Sequence, residues 1–324
     1  MKILAKLLVV ALLFLSAACE KKNTEPCADY RQAMRDFVVR ISTTARQSNP
    51  DFIVIPQNGL PLSTLGDSPD APLASTYLAA INGHAQEDLF YGYPDDETPT
   101  PAAETDYLLR YLRRSQATGN SVLVVDYCAT PSHVANSYAR CEAEGFVGFA
   151  APHRALNQIP SGPIHHENNL NVTALADAQN FLYLINPENF ASKQAFIQAV
   201  CATNYDLLVM DLFDNDGEMF SPAEIEQLRQ KQNGGKRLVV CYLSIGEAED
   251  YRYYWQTSWK RQRPTWLERS NPQWPGNYKV RYWYSEWQTM ICGQGDSYLS
   301  RILNAGFDGV YLDIVDAYEY FEEK

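Results

Sequence analysis

The chain of 324 residues carries 27 Lys and Arg against 39 Asp and Glu, a formal net charge of −12. With no basic cluster, that balance speaks against nucleic acid as a partner and favours neutral or cationic ligands. The length suits one large domain or two small ones.

The first residues read as a targeting segment. Lys2 and Lys6 lead into an apolar run, Leu7 to Leu15, and then Ser16-Ala17-Ala18 before Cys19. The run is too short to span a bilayer and ends in a small-residue cleavage site. Cleavage before Cys19 resembles a lipoprotein signal, with a lipid anchor on Cys19. Ser16 stands where an aliphatic residue is usual, so ordinary cleavage after Ala18 is the alternative. The polar tether "EKKNTEP" favours the anchor. The expectation is an exported, membrane-anchored lipoprotein, periplasmic or at the cell surface. The signal peptide is 1–18, the lipidated tether and an N-terminal helix are 19–50, and one barrel domain fills 51–324. Cleavage leaves 306 residues; with Lys2 and Lys6 gone, 25 basic against 39 acidic side chains give −14.

Further along, apolar runs alternate with helix-like segments. The strand candidates are 52–55, 121–127, 145–150, 181–186, 206–213, 237–244, 278–283 and 307–314. Most are continuous Val/Ile/Leu/Tyr runs, as expected for parallel strands covered on both faces. The intervening segments carry helix starts. In "SPAEIEQLRQKQNGG", Ser221 is the cap, Pro222 opens the first turn, Glu224 completes a capping box and Gly234 is the stop. Eight strands with seven helical segments predict an α/β fold, a single-domain (β/α)8 TIM barrel. A doubly wound open sheet is the alternative, but no glycine-rich phosphate fingerprint follows the first strand. A helix over about 28–46 is expected to close the bottom, and the loop after 145–150 to cover one side of the mouth. Six cysteines follow Cys19, with no CxxC pair. They permit disulfides or buried thiols, and a structural zinc site is not expected.

In such a barrel the active site sits at the C-terminal strand ends. The runs end in Asp126-Tyr127, Asn186, Asp211 then Asp214, Glu247, and Asp313 then Asp316. Any one of these acids could cap a helix or pair with an arginine such as Arg252 or Arg281. Together they predict a ring of carboxylates around one pocket. Such a ring binds a hard metal or cleaves glycosides, using one protonated and one ionised carboxyl. Only five histidines are present, and the adjacent His165 and His166 are expected to point apart. No metal and no cofactor are therefore predicted, although a carboxylate-only metal hydrolase stays open. All six tryptophans fall between Trp255 and Trp287. They offer flat faces to a sugar ring or form a core for their own loops.

The stretches "QEDLFYG", "NYDLLVMDLF", "GGKRLVVCYLSIGEAEDYRYYW", "NPQWPGNYKVRYW" and "AGFDGVYLDIVDAYEYFE" resemble the TM1410-type extracellular proteins of glycoside hydrolase family 114. That family contains the endo-α-1,4-polygalactosaminidases. The resemblance runs from about Phe52 to the C-terminus. It implies a (β/α)8 barrel and endo-cleavage of a galactosamine-containing polysaccharide. The motifs carry over to Asp211, Glu247, Asp313 and Asp316, and less directly to Asp126. The expected pair is Asp211 as nucleophile and Glu247 as acid/base. Substrate contacts are expected from Asp126, Tyr127, Asp214, Tyr242, Trp274, Trp283, Asp313 and Asp316. The family's "WPGE" reads "WPGN" here, Trp274 to Asn277. That departure is the main support for the alternative, a non-catalytic glycan-binding lipoprotein on the same barrel.

Overall fold

The computed structural model describes Cys27 and residues 29–324. The expected signal peptide and the lipidation residue Cys19 lie outside the described residues. No helix among the described residues is long and apolar enough to cross a membrane.

The parallel strands are β1 (Ile53–Pro56), β2 (Gly83–Glu87), β3 (Ser121–Tyr127), β4 (Val147–Ala151), β5 (Phe181–Tyr183), β6 (Leu207–Met210) and β7 (Leu238–Ser244). Three short strands, β8 (Glu247–Glu249), β9 (Leu267–Ser270) and β10 (Asn277–Val280), interrupt the series before β11 (Gly309–Asp313). Helix α1 (Tyr30–Ser48) precedes them. The connections carry α2 (Ser75–Ala80), α3 (Ala102–Gln116), α4 (Pro131–Glu144), α5 (Lys193–Cys201), α6 (Pro222–Leu228), α7 (Ser285–Cys292) and α8 (Tyr298–Ala305), and α9 (Tyr318–Glu322) ends the chain. The capping box of α6 forms in both directions, Glu224 N to Ser221 Oγ and Ser221 N to Glu224 Oε2.

One parallel sheet has the order β1-β11-β7-β6-β5 and a second the order β2-β3-β4. A parallel bridge between Gln57 and Ala85 joins β1 to β2. The eight strands thus follow one another in chain order, without the reversal of a doubly wound sheet. The parallel α/β expectation holds, but no closed sheet forms among the described residues. Between β4 and β5 the segment just after β5 turns to the loop instead. Leu156 O accepts from Ile185 N (3.1 Å) and Asn186 N (3.2 Å). Loop cover of this kind satisfies an edge that would otherwise stay open. Phe149 and Phe181 span the gap, ring centroids 5.4 Å apart.

Three sequence expectations need correction. The segment "GHAQE" is a barrel-type strand, β2, although it holds one apolar residue. Its pairing fixes it, and a Cβ on Gly83 would sit 2.8 Å from Leu175 and 2.9 Å from Ser121 O. The segment 278–283, expected as a parallel strand, contributes β10 to a separate antiparallel sheet ordered β8-β10-β9. The helix α1 does not close the bottom. It packs along the flank against α2, α7, α8 and α9, burying Met34, Phe37, Val38, Ile41 and Ala45 at the three- and four-residue spacing of an apolar stripe. The six cysteines of the described residues are free.

Candidate functional site

Side chains along a strand alternate between faces, and that parity decides which residues reach the mouth. On β3, Leu123, Val125 and Tyr127 join the main core, whereas Val122 and Val124 pack in the second core with Cys128. Tyr127 therefore faces inward and Asp126 outward. At the strand ends the inward residues surround a cavity of about 370 Å³. Tyr183, which lines it, meets Tyr311 with centroids 4.9 Å apart, so side chains of β5 and β11 pack against each other across the interior.

One side of the cavity is a cluster of carboxyls without a cationic partner in hydrogen-bond contact among the described residues. Gln57 Nε2 donates to both Glu87 Oε2 (2.7 Å) and Asp313 Oδ1 (3.2 Å). A single nitrogen thus holds the carboxyls of β2 and β11 side by side. Glu87 also accepts from Asn58 Nδ2 (3.0 Å) and from the Tyr127 hydroxyl. Asp313 accepts from Tyr242 Oη (2.7 Å) and Ile314 N (2.8 Å). Burial, then the neighbouring Asp316, pushes Asp313 up to about 7. Burial, then Glu319 and Glu87, pushes Asp316 up to about 7 as well. Burial and Asp313 raise Glu87 above the usual carboxylate range. Low-dielectric surroundings and like charge both disfavour the ionised form.

The opposite side is charge-compensated. Arg252 makes a bidentate pair with Asp211, Nη1 to Oδ1 at 2.8 Å and Nη2 to Oδ2 at 2.7 Å. Its Nε donates to Glu249 Oε2 at 2.5 Å, and Tyr251 Oη donates to Glu249 Oε1 at 2.6 Å. Two strand-end acids thus share one guanidinium, whose planar fork matches the two oxygens of Asp211. Trp274, 53% exposed, stands on the rim.

Of the sequence-predicted residues, Asp211, Tyr127, Tyr242, Trp274, Asp313 and Asp316 line this cavity. Four others do not. Asp126 turns away from the lumen and accepts from Phe90 N (2.9 Å), Tyr91 N (3.2 Å) and Ser137 Oγ (2.6 Å), pinning the loop after β2. Asp214 accepts from Asp216 N and Glu218 N within its own turn. Trp283 packs against Tyr30 and Phe321 on the flank. Glu247 lies one turn past β7, at the start of β8, and is 1% exposed. It accepts from Asn271 Nδ2 (2.9 Å), Lys279 Nζ (3.1 Å) and Asn277 Nδ2 (3.2 Å). The β8–β10 register creates this nest by setting Lys279 opposite Glu247.

Sequence reading missed Glu87, Glu249 and Arg252 as cavity residues. Glu249 follows Glu247 by two residues and reaches the cavity because the chain forms β8 there. Glu87 ends the one strand with no apolar run, and only its place in "QEDLFYG" marked it. Most tryptophans form a loop core, Trp255 on Trp259, Trp259 on Trp266 and Trp266 on Trp287, at 5.0 to 5.3 Å. The adjacent His165 and His166, expected to diverge, converge on Glu142.

Known proteins resemble part of this arrangement. Residues 168–324 match the model of glycoside-hydrolase family GH114. The resemblance to GH114 holds. The match takes in β5 to β11 and so supplies Asp211, Glu249, Arg252, Asp313 and Asp316, while Glu87 and Tyr127 come from the half outside it. An uncharacterized protein of Methanocaldococcus jannaschii is 40% identical over 161 residues, 49% of this chain and 42% of the relative. Uncharacterized proteins of Deinococcus radiodurans and Thermotoga maritima are 40% and 38% identical, over 40% and 39% of this chain and 40% and 37% of theirs. The chain thus spans about two fifths of the length of these curated relatives. A crystal structure of Aspergillus fumigatus Ega3 in complex with galactosamine aligns at 23% identity over 36% of this chain and 39% of that chain, with a TM-score of 0.26.

Proposed function

We propose that the protein is an exported glycoside hydrolase acting on α-1,4-linked galactosamine polymers, anchored through Cys19. The observation that carries the reading is the pairing, in the half that matches GH114, of two kinds of carboxyl around one cavity. Asp211 is held by Arg252, and Asp313 is pushed up to about 7. Glycoside cleavage needs one carboxyl of each kind. In this reading Asp313 protonates the leaving oxygen. Asp211 supplies the negative charge, as nucleophile or as the base that activates water. Glu87 and Asp316 receive sugar hydroxyls or the ammonium of a deacetylated unit, and Trp274 offers a ring face to the sugar. Glu247 was the acid/base expected from sequence, but it is 1% exposed beneath three donors, of which only Asn277 lines the cavity, so Asp313 takes that role here.

The test is reducing-end release from partly deacetylated polygalactosamine. Asp211→Asn and Asp313→Asn are expected to lose at least about a hundredfold in kcat, and Glu247→Gln to retain most activity. Full activity in both aspartate variants sinks the assignment. Loss in Glu247→Gln alone returns the acid role to that residue. Binding without cleavage by the wild type would favour the glycan-binding alternative, which Asn277 beside Glu247 supports. Cys19→Ser is expected to move the protein from the membrane to the soluble fraction.

A further inference from the structure

Of the crossovers between parallel strands, only that from β4 to β5 has no α-helix. Residues 152–180 run down the flank beside α4. On α4, Tyr138 and Glu142 lie one turn apart on the same face, and both meet the loop's two adjacent histidines. The His165 ring stacks on Tyr138 with centroids 4.2 Å apart and planes 16° from parallel. His165 Nε2 lies 3.3 Å, and His166 Nε2 2.7 Å, from the same oxygen, Glu142 Oε1. The three potential ligand atoms all fall within 4.8 Å of one another.

Neighbouring side chains normally diverge. Here His166 takes a φ of +52° and its ring returns beside that of His165, centroids 4.1 Å apart. A left-handed backbone is uncommon outside glycine, and a structure keeps it where surrounding contacts hold it. The holding contacts are Asn168 Nδ2 (3.1 Å) and Asn180 Nδ2 (3.0 Å), both donating to His166 O. The second indication is His165 Nε2 itself. It is buried and makes no hydrogen bond among the described residues, although the carboxylate is 3.3 Å away. Two atoms bound to one tetrahedral ion at about 2.0–2.2 Å stand roughly 3.3 Å apart without pointing at each other.

We propose that Glu142, His165 and His166 form a zinc site, with water as the fourth ligand, that clips the β4–β5 loop to α4. Two imidazoles and a carboxylate form a donor set that suits zinc, and the absence of a thiolate ligand speaks against copper(I). The clip takes the place of the missing helix and is separate from the cavity at the mouth, so it stands whether or not the glycosidase reading does.

The test is calorimetric titration of the tag-free, chelator-stripped chain with zinc chloride. One ion per chain is expected, with tetrahedral visible bands on cobalt substitution and a higher Tm. His166→Ala and Glu142→Gln are expected to weaken zinc at least about tenfold. His133→Ala, which alters a different His–Glu pair, is expected to leave binding unchanged. Glu142 is an exposed residue, so Glu142→Gln decides the matter if His166→Ala fails to fold. No saturable binding by the wild type, or equal affinity in Glu142→Gln and the wild type, overturns the site.

Discussion

Arg252 grips Asp211 through two parallel bonds of 2.8 and 2.7 Å while its third nitrogen holds Glu249. The guanidinium is thus the cation on which one side of the mouth depends. Arg252→Met removes it and strands two carboxylates in a half-dry cleft. Loss of one partner from a buried pair costs about 3–5 kcal/mol. Urea denaturation at neutral pH is expected to show a loss of that order, and kcat to fall with it. A stability within about 0.5 kcal/mol of the wild type would refute the role.

The carboxyls opposite set a pH dependence of the reverse sign from ordinary salt-bridged acids. Asp313 and Asp316 hold their protons to about 7 in the folded state, against a reference value of 3.8. Between those limits the folded chain binds more protons than the unfolded one, so their contribution to stability falls as pH rises and levels off above about 7. The urea midpoint, followed across that window, is expected to fall less steeply in the Asp313→Asn, Asp316→Asn double variant. If Asp313 is the acid, activity declines as pH passes about 7.

Asn277 lends an amide proton to Glu247 at 3.2 Å. Asn277→Glu, which turns "WPGN" into "WPGE", replaces that donor by a second carboxylate. The expected cost is about 1–3 kcal/mol. The added repulsion raises one carboxyl's pKa, so the deficit is larger at alkaline than at mildly acidic pH. Equal deficits at both would mean the two carboxylates do not meet.

Trp274 is 53% exposed, and its ring supports little of the fold. Trp274→Ala is expected to change stability by less than about 0.5 kcal/mol. The KM for the polymer is expected to rise roughly two- to tenfold, the worth of one ring contact. An unchanged KM removes Trp274 from the binding surface.

At the opposite end of the strands, Lys231 Nζ meets Asp206 Oδ1 at 2.5 Å with both side chains fully buried. Asp206 also accepts from Asn168 Nδ2 (2.9 Å) and Gln179 N (2.8 Å), which ties the β4–β5 loop to the base. Lys231→Met leaves that carboxylate uncompensated and is expected to cost about 3–5 kcal/mol. A proteolysis-resistant loop in the variant would show that the tie is not needed.

By itself the sequence determined seven of the eight parallel strands, the α6 capping box and the strand-end positions of Asp211 and Asp313. These follow from local rules: apolar runs, caps and the place where a run stops. It also read an eighth strand, but at 278–283 instead of 83–87. The reason is that "GHAQE" is buried through its neighbours, with no hydrophobicity of its own to mark it. Likewise, adjacency alone could not show that His165 and His166 converge, because one left-handed residue reverses the usual divergence. Only the tertiary structure decided which acids share the cavity. Strand parity turned Asp126 outward and Tyr127 inward. The β8–β10 register buried Glu247 against Lys279. Arg252, 41 residues from Asp211, folded back onto it. Which face a side chain takes, and which charge it meets, are set by pairing across the chain, and no local pattern carries that information.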